Sequence, residues 1–281
     1  PSGGNMYSSA ADLSALGRAI LSSQIIPAHV TRRWLQPASF SADFAASIGA
    51  PWGIRRIQLD QKRQPYRTLS VFTKAGTFRR YAAFMSLLKE FNIGITIMLA
   101  GAGKLNNFEI ADMMGSALIP AYDAAAREEA DILFSGTYVG WNSSIVISTD
   151  PKKPGLGIDQ WWKDGVDMLE FAVKMQSGSD KPPVRPEIRL YYSQLEDGII
   201  FNGKRQSWKA VFEDTGLPNY GLGLFSTECG AWVAVTGITY GSLPLDEFVF
   251  TFDGAGRVVN IINLAMRATL WKVDPPPKFE V

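Results

Sequence analysis

The sequence predicts an α+β chain in two parts: an antiparallel sheet with flanking helices, followed by an all-β, barrel-like domain. Three observations carry this. Apolar residues recur at helical spacing near the N-terminus and again over 106–133. Between those stretches, four apolar, β-rich runs follow one another with short connections. From Phe134 to Val281, short β-like segments alternate with Gly, Pro, Asn and Asp.

Ser8 or Ser9 can cap the first helix, with Asp12 in a capping-box position. Leu13, Leu16, Ile20 and Leu21 then mark one face of a helix over 9–23. A second, shorter helix is expected from Pro27 to near Pro37, with His29, the only histidine, on its surface. Trp52-Gly53-Ile54, Leu69 to Thr73, Tyr81 to Leu88 and Ile93 to Leu99 read as strands of an antiparallel meander. Glu90-Phe91-Asn92 is a tight connection between the last two. Helix returns over 106–133, capped by Asn107, with Pro120 expected to break or kink it.

In the second half the expected strands include Thr137 to Val139, Ser144 to Ile147, Met168 to Val173, Ile188 to Tyr192, Ile199 to Phe201, Trp232 to Val235, Glu247 to Phe252 and Val258 to Ile262. Asp197-Gly198, Asn202-Gly203 and Asp253-Gly254 are hairpin-turn pairs. Ser177 to Pro186 reads as an exposed loop. Gly155-Leu156-Gly157 and Gly221-Leu222-Gly223 read as turns, being too short for nucleotide loops. Trp141, Trp161, Trp162, Trp208, Trp232 and Trp271 are assigned mainly to a barrel core.

Composition narrows the function. Of 281 residues, 46% are hydrophobic and 20% charged, the balance of a folded globular chain. A net charge of +1 gives no pull toward nucleic acid, and Arg55-Arg56 and Arg79-Arg80 read as solvated faces. No apolar run is long enough to span a bilayer. One cysteine, Cys229, excludes an internal disulfide and reads as a buried small hydrophobe. With one histidine and no Cys/His cluster, neither a metal nor another cofactor is expected. The opening Pro1-Ser2-Gly3-Gly4 is neither a start methionine nor a signal peptide, so the chain is expected to begin inside a longer protein. The compartment is not legible.

Lys74-Ala75-Gly76 has chemistry of its own. A lysine on an edge strand can hold a cation against a nucleophilic oxygen and favour its deprotonated form. A glycine two residues later lets substrate approach the backbone. Pro1 to Leu13 with Gly17 to Leu21 resembles the Gly-Gly, Ser-Ser/Thr, Asp-Leu stretch opening a helix in class C-type serine β-lactamase-related proteins. Thr73-Lys74-Ala75-Gly76, Tyr81 and the strand from Asn92 to Gly101 resemble that family's Lys-Thr/Ser-Gly strand and its successor.

The resemblance implies that residues 1–133 are the C-terminal part of a β-lactamase/transpeptidase-like catalytic domain. Residues 134–281 then form a lipocalin-like β-barrel accessory domain, an order similar to fungal β-lactamase-related proteins. It further implies serine-dependent acyl chemistry on an ester, thioester or amide, by hydrolysis or acyl transfer. Lys74 supports the charged intermediate, the Thr77 main-chain N–H serves as oxyanion donor, and Thr73, Ala75 and Gly76 line the substrate.

The family's Ser-x-x-Lys nucleophile and its Tyr-x-Asn motif would lie upstream of Pro1, in a segment that is therefore the expected partner along with a small acyl substrate. Ser86-Leu87-Leu88-Lys89 matches the tetrapeptide, but on a strand residues three apart face opposite ways. The chain alone is expected to be inactive. Ala75 departs from the family's Thr or Ser and lacks the hydroxyl that helps hold a substrate carboxylate, which disfavours carboxylate-bearing β-lactams. The alternatives are a non-catalytic binding or scaffold relative, and a barrel carrying a lipid or other small ligand.

Overall fold

The computed structural model describes residues 4, 6–60, 64–103, 106–197, 204–216 and 229–273. Two units are distinguished, Pro1–Ala126 and Arg127–Val281, with the boundary inside a long helix.

In the first unit, Ser9 caps helix α1 (Ala10–Leu21). Its hydroxyl accepts from the Asp12 N–H at 3.1 Å, and the Asp12 carboxylate reaches back to the Ser9 N–H, completing the capping box. Helix α2 (Ala28–Trp34) follows Pro27, with His29 exposed at its start. Six strands form one antiparallel sheet in chain order: β1 (Ser39–Phe40), β2 (Ala46–Ile48), β3 (Gly53–Asp60), β4 (Gln64–Phe78), β5 (Tyr81–Leu88) and β6 (Ile93–Ala100). This is the expected meander, extended at its start by two short strands. Helix α3 (Asn107–Phe134) follows.

The two-residue period sorts the sheet's side chains onto two faces. Phe72, Met85, Leu87 and Ile54 pack with Ile20 and Trp52 on one. Leu69, Val71 and Leu88 pack with Ile119 of α3 on the other, where Phe84, Ile95 and Ile97 meet Ile110 and Met114. Gly17 explains itself here. A Cβ on it would sit 3.2 Å from Leu87 Cδ2, so its absence lets α1 lie close to the sheet despite glycine's poor helix propensity. Gly17→Leu is expected to cost about 1–3 kcal/mol by overpacking, read from denaturant unfolding.

One expectation for α3, the identity of its cap, is corrected, and of the two outcomes expected at Pro120, a break or a kink, the break does not occur. The cap is Asn106, whose Oδ1 accepts from the Glu109 N–H at 3.3 Å, whereas Asn107 is buried and donates to the Ala83 carbonyl at 3.0 Å. Pro120 does not end the helix. It and Ser116, whose carbonyl loses its usual donor, are both exposed, so water can take that acceptor while Ile119 stays anchored.

The second unit contains β7 (Gly136–Gly140), β8 (Ser143–Thr149), β9 (Leu156–Lys163), β10 (Val166–Asp167), helix α4 (Met168–Ser177), β11 (Pro186–Asp197), β12 (Arg205–Asp214), helix α5 (Cys229–Val233), β13 (Thr239–Tyr240), β14 (Leu243–Pro244), β15 (Glu247–Phe252), β16 (Val258–Asn263) and β17 (Ala268–Val273). Neighbours run β9-β11-β12-β15-β16-β17-β7-β8, and β8 pairs back to β9, closing an eight-stranded antiparallel barrel. Closure removes the edges that an open sheet would expose.

Inward positions alternate along each strand, as with Phe248, Phe250 and Phe252 on β15. They fill the interior: Trp161, Tyr138, Ile145, Leu190 and Leu270 are all buried there. The Tyr138 hydroxyl donates to the Phe134 carbonyl at 2.7 Å, and the Phe134 ring stacks edge-on against Phe250 and Phe252. The interior is a packed core, so the barrel as a hollow carrier is set aside.

Other expectations for this half also change. Met168 to Val173 is helix α4, because Asp167 accepts from the Leu169 and Glu170 N–H groups and Gly178 ends the helix at φ 61°. The segment at Trp232 belongs to α5 and the turn after it. Gly157 lies within β9 rather than in a turn. Of the tryptophans, Trp161 is core, while Trp141, Trp162, Trp232 and Trp271 are exposed because their backbone positions face outward or sit in loops. Gly198, Ile199 to Phe201, Asn202-Gly203, Gly221 to Gly223 and the Cys229 thiol fall outside the described residues. Among the described residues no helix is long and apolar enough to cross a membrane.

Asp131 ties α3 to the barrel by accepting from Ser135 Oγ at 2.6 Å and Thr149 Oγ1 at 2.8 Å. Those two hydrogen bonds hold its carboxyl below the ordinary 3.8. A depressed carboxyl stabilises fully above the unfolded pKa and loses that contribution as pH falls through the lower folded value. Asp131→Asn is therefore expected to flatten part of the acid limb of stability below pH 3.8, measured by thermal unfolding against pH.

Candidate active site

Thr73, Lys74, Ala75, Gly76 and Thr77 lie consecutively at the end of β4. The sequence reading made this an edge strand. In the structure β4 is flanked on both sides for most of its length, and only its last residues run free. β3 begins at Gly53, opposite Thr73, while β5 continues beside β4 to the Phe78–Tyr81 pair. Thr73 closes the shared portion, its Oγ1 donating to the Gly53 carbonyl at 2.8 Å.

Register then fixes where the main chain points. Phe78 and Tyr81 pair across a two-residue turn, so this pair exchanges its hydrogen bonds directly. Alternation gives Gly76 and Lys74 the same role and turns the N–H and C=O of Thr77 and Ala75 away from β5. Beyond Thr73 no described strand meets them. The Thr77 N–H is thus an outward, unpartnered donor among the described residues. The Ala75 carbonyl accepts from Lys74 Nζ at 3.1 Å.

Side chains follow the same alternation. Lys74 and Gly76 share the face of Phe72, and Lys74 is exposed. A Cβ on Gly76 would have nothing within 4 Å, so the surface beside the lysine is open. Ala75 points the other way, into the apolar cluster of Phe84, Ile95 and Ile97. The two segments that carried the resemblance also come together. A Cβ on Gly4 would touch the Phe78 ring at 3.3 Å, so the chain enters α1 past the free end of β4. Ser86 is buried on β5 and Lys89 lies in the following turn, its Nζ 5.9 Å from the Phe72 ring centroid, so the two do not form a catalytic pair.

With this geometry in view, the comparisons are specific. The sequence model of a family described as "Beta-lactamase-like-like, C-terminal domain" matches residues 126–274, more than half of the chain. The chain belongs to that β-lactamase-related family. A "Beta-lactamase-like protein" of Arthroderma benhamiae is 29% identical over 92% of this chain and 47% of its own length. "Probable hydrolase M10" of a Phoma species is 25% identical over 95% of this chain and 45% of its own. The chain therefore spans less than half the length of these relatives. Among solved structures, the octameric penicillin-binding protein homologue from Pyrococcus abyssi aligns with a TM-score of 0.30 and 12% identity, over 94% of this chain and 47% of that one.

The sequence did not reveal a polar recess on the barrel, lined by Ser148, Asp159 and Arg189. Its one signal was a charged residue, Arg189, interrupting the apolar run from Ile188 to Leu190.

Proposed function

We propose that the complete protein is a serine-dependent acyl hydrolase or acyltransferase, with residues 1–133 the C-terminal part of its catalytic domain and 134–281 an accessory barrel. Membership of a β-lactamase-related family and a relative named as a hydrolase support hydrolase-type chemistry. The observation that carries the reading is the free end of β4, where Lys74 and the outward Thr77 N–H share a few residues of unpaired edge.

On this reading a serine from the segment upstream of Pro1 attacks the acyl carbonyl, and its proton passes to upstream basic groups. Negative charge develops on the carbonyl oxygen, where the Thr77 N–H donates to it and the Lys74 ammonium offsets it. Collapse expels the alcohol, thiol or amine and leaves an acyl-enzyme. Water or a bound nucleophile then accepts the acyl group by the reverse sequence. The open surface over Gly76 leaves room for the substrate chain.

Labelling the full-length protein with a fluorophosphonate tests this reading. One serine is expected to be modified, and the absence of any labelled serine would favour the non-catalytic alternative.

A further inference from the structure

Asn142-Ser143-Ser144 is the chain's one Asn-x-Ser/Thr triplet, the acceptor pattern for N-linked glycosylation. The pattern alone decides little, since an asparagine inside a packed strand has no room for a sugar. Asn142 is placed otherwise. Gly140 pairs with Ser143, so Trp141 and Asn142 form the two-residue turn between β7 and β8. Asn142 is exposed and sits at φ 45°, a left-handed conformation that asparagine tolerates. Its carbonyl accepts from the Asp164 N–H at 2.7 Å, and its side-chain amide donates to the Asp164 carboxylate. That amide nitrogen carries two hydrogens, so a sugar can replace one while the other stays on Asp164. A Cβ on Gly165, next to Asp164, would meet nothing within 4 Å, so the surface beside the turn is open.

The apolar surroundings of the turn are an independent sign. Trp141 is 86% exposed. Register places further apolar side chains on the same outer wall of the barrel. Trp162 of β9 lies opposite Ser144, Ser144 opposite Val139 of β7, and Val139 opposite Trp271 of β17. Val139, Trp162 and Trp271 are all exposed. From Trp162 to Trp271 the row spans three interstrand steps, roughly 14 Å. A contiguous exposed strip of this kind marks a surface that something covers. The N-acetylglucosamine that begins an N-linked glycan suits it. Its ring offers an apolar C–H face to an indole, while its hydroxyl and acetamido groups stay in water. A glycan on Asn142 would start beside this strip, so the attachment point and the surface to be covered coincide.

We propose that Asn142 carries an N-linked glycan whose first N-acetylglucosamine units lie against Trp141 and the strip beside it. Asn142 Nδ2 attacks the anomeric carbon of an oligosaccharide linked to a polyprenyl diphosphate. The C–N bond forms as the C–O bond to the diphosphate breaks. The polyprenyl diphosphate leaves, and one amide proton passes to a base of the transferring enzyme. The Ser144 hydroxyl is the group by which that enzyme recognises the acceptor. The site lies wholly within the barrel and does not depend on the acyl chemistry proposed for the first unit.

The test uses the full-length protein isolated from the cells that make it. Peptide-N-glycosidase treatment in ¹⁸O-water, followed by peptide mass mapping, is expected to leave an ¹⁸O-labelled aspartate in place of Asn142. Ser144→Ala, expressed in the same cells, should lose the label entirely. Ser144→Thr keeps the hydroxyl and should retain the label, which separates loss of the acceptor from a folding defect at this position. Removing the glycan from the folded parent should increase acrylamide quenching of tryptophan emission, and that increase should shrink in Trp141→Leu. An unmodified Asn142 in the native protein, or a label that persists in Ser144→Ala, would overturn the assignment. Equal quenching before and after glycan removal would overturn the packing of the sugars on the indoles.

Discussion

Thr77→Pro in the full-length protein is expected to lower kcat/KM for an activated ester by about 10²–10³-fold, while Thr77→Ala stays close to the parent. The contrast follows from which atom acts. If the main-chain N–H stabilises the oxyanion, truncating the side chain leaves the donor in place, and only proline removes it. Proline is tolerable there because this N–H points away from β5 and takes no part in the ladder, the position on a strand where proline is accepted. Gly76 precedes it and meets the steric demand that proline places on its predecessor. Lys74→Ala should give a loss of similar size, mainly in kcat, because the ammonium acts on charge that appears only in the transition state. Steady-state kinetics with circular dichroism as the folding control would check all three. Equal rates for Thr77→Pro and the parent would remove the oxyanion role and, with it, the main geometric support for catalysis at β4.

Much of the first unit was legible because its local signals agree with its packing. The Ser9 and Asp12 capping box, the apolar period of α1 and the alternation along β5 and β6 each point to the element that forms. What failed was of two kinds. At Met168 to Val173 the apolar run suits a strand or a buried helix equally, and the deciding residues lay outside it, in Asp167 and Gly178. At the tryptophans, hydrophobicity was read as burial, but large aromatics also occupy outward positions. The chemistry-bearing run at 73–77 could be found from its residues. Its free edge could not, because that depends on where β3 starts, a tertiary fact set by Gly53 meeting Thr73. The recess at Arg189 was hidden for the same reason: its parts come from three strands and converge only on barrel closure.

Phe250→Ala is expected to destabilise the barrel by about 3–5 kcal/mol, lowering its thermal midpoint by roughly 6–20 °C. Phe250 is fully buried, and its ring lies 5.0 Å from Phe134, 5.7 Å from Trp208 and 6.2 Å from Tyr138. Removing it leaves a hole bordered by three large rings, none of which can move in without leaving its own neighbours. Phe134 also comes from the end of α3, so the damage reaches the point where the helix enters the barrel. Val249→Ala, on the half-buried outward side of the same strand, should cost about 1 kcal/mol or less. Thermal unfolding followed by circular dichroism would separate the two. A cost for Phe250→Ala no larger than that for Val249→Ala would mean that the interior yields easily to lost volume, and the hollow, ligand-carrying barrel would return as the better description.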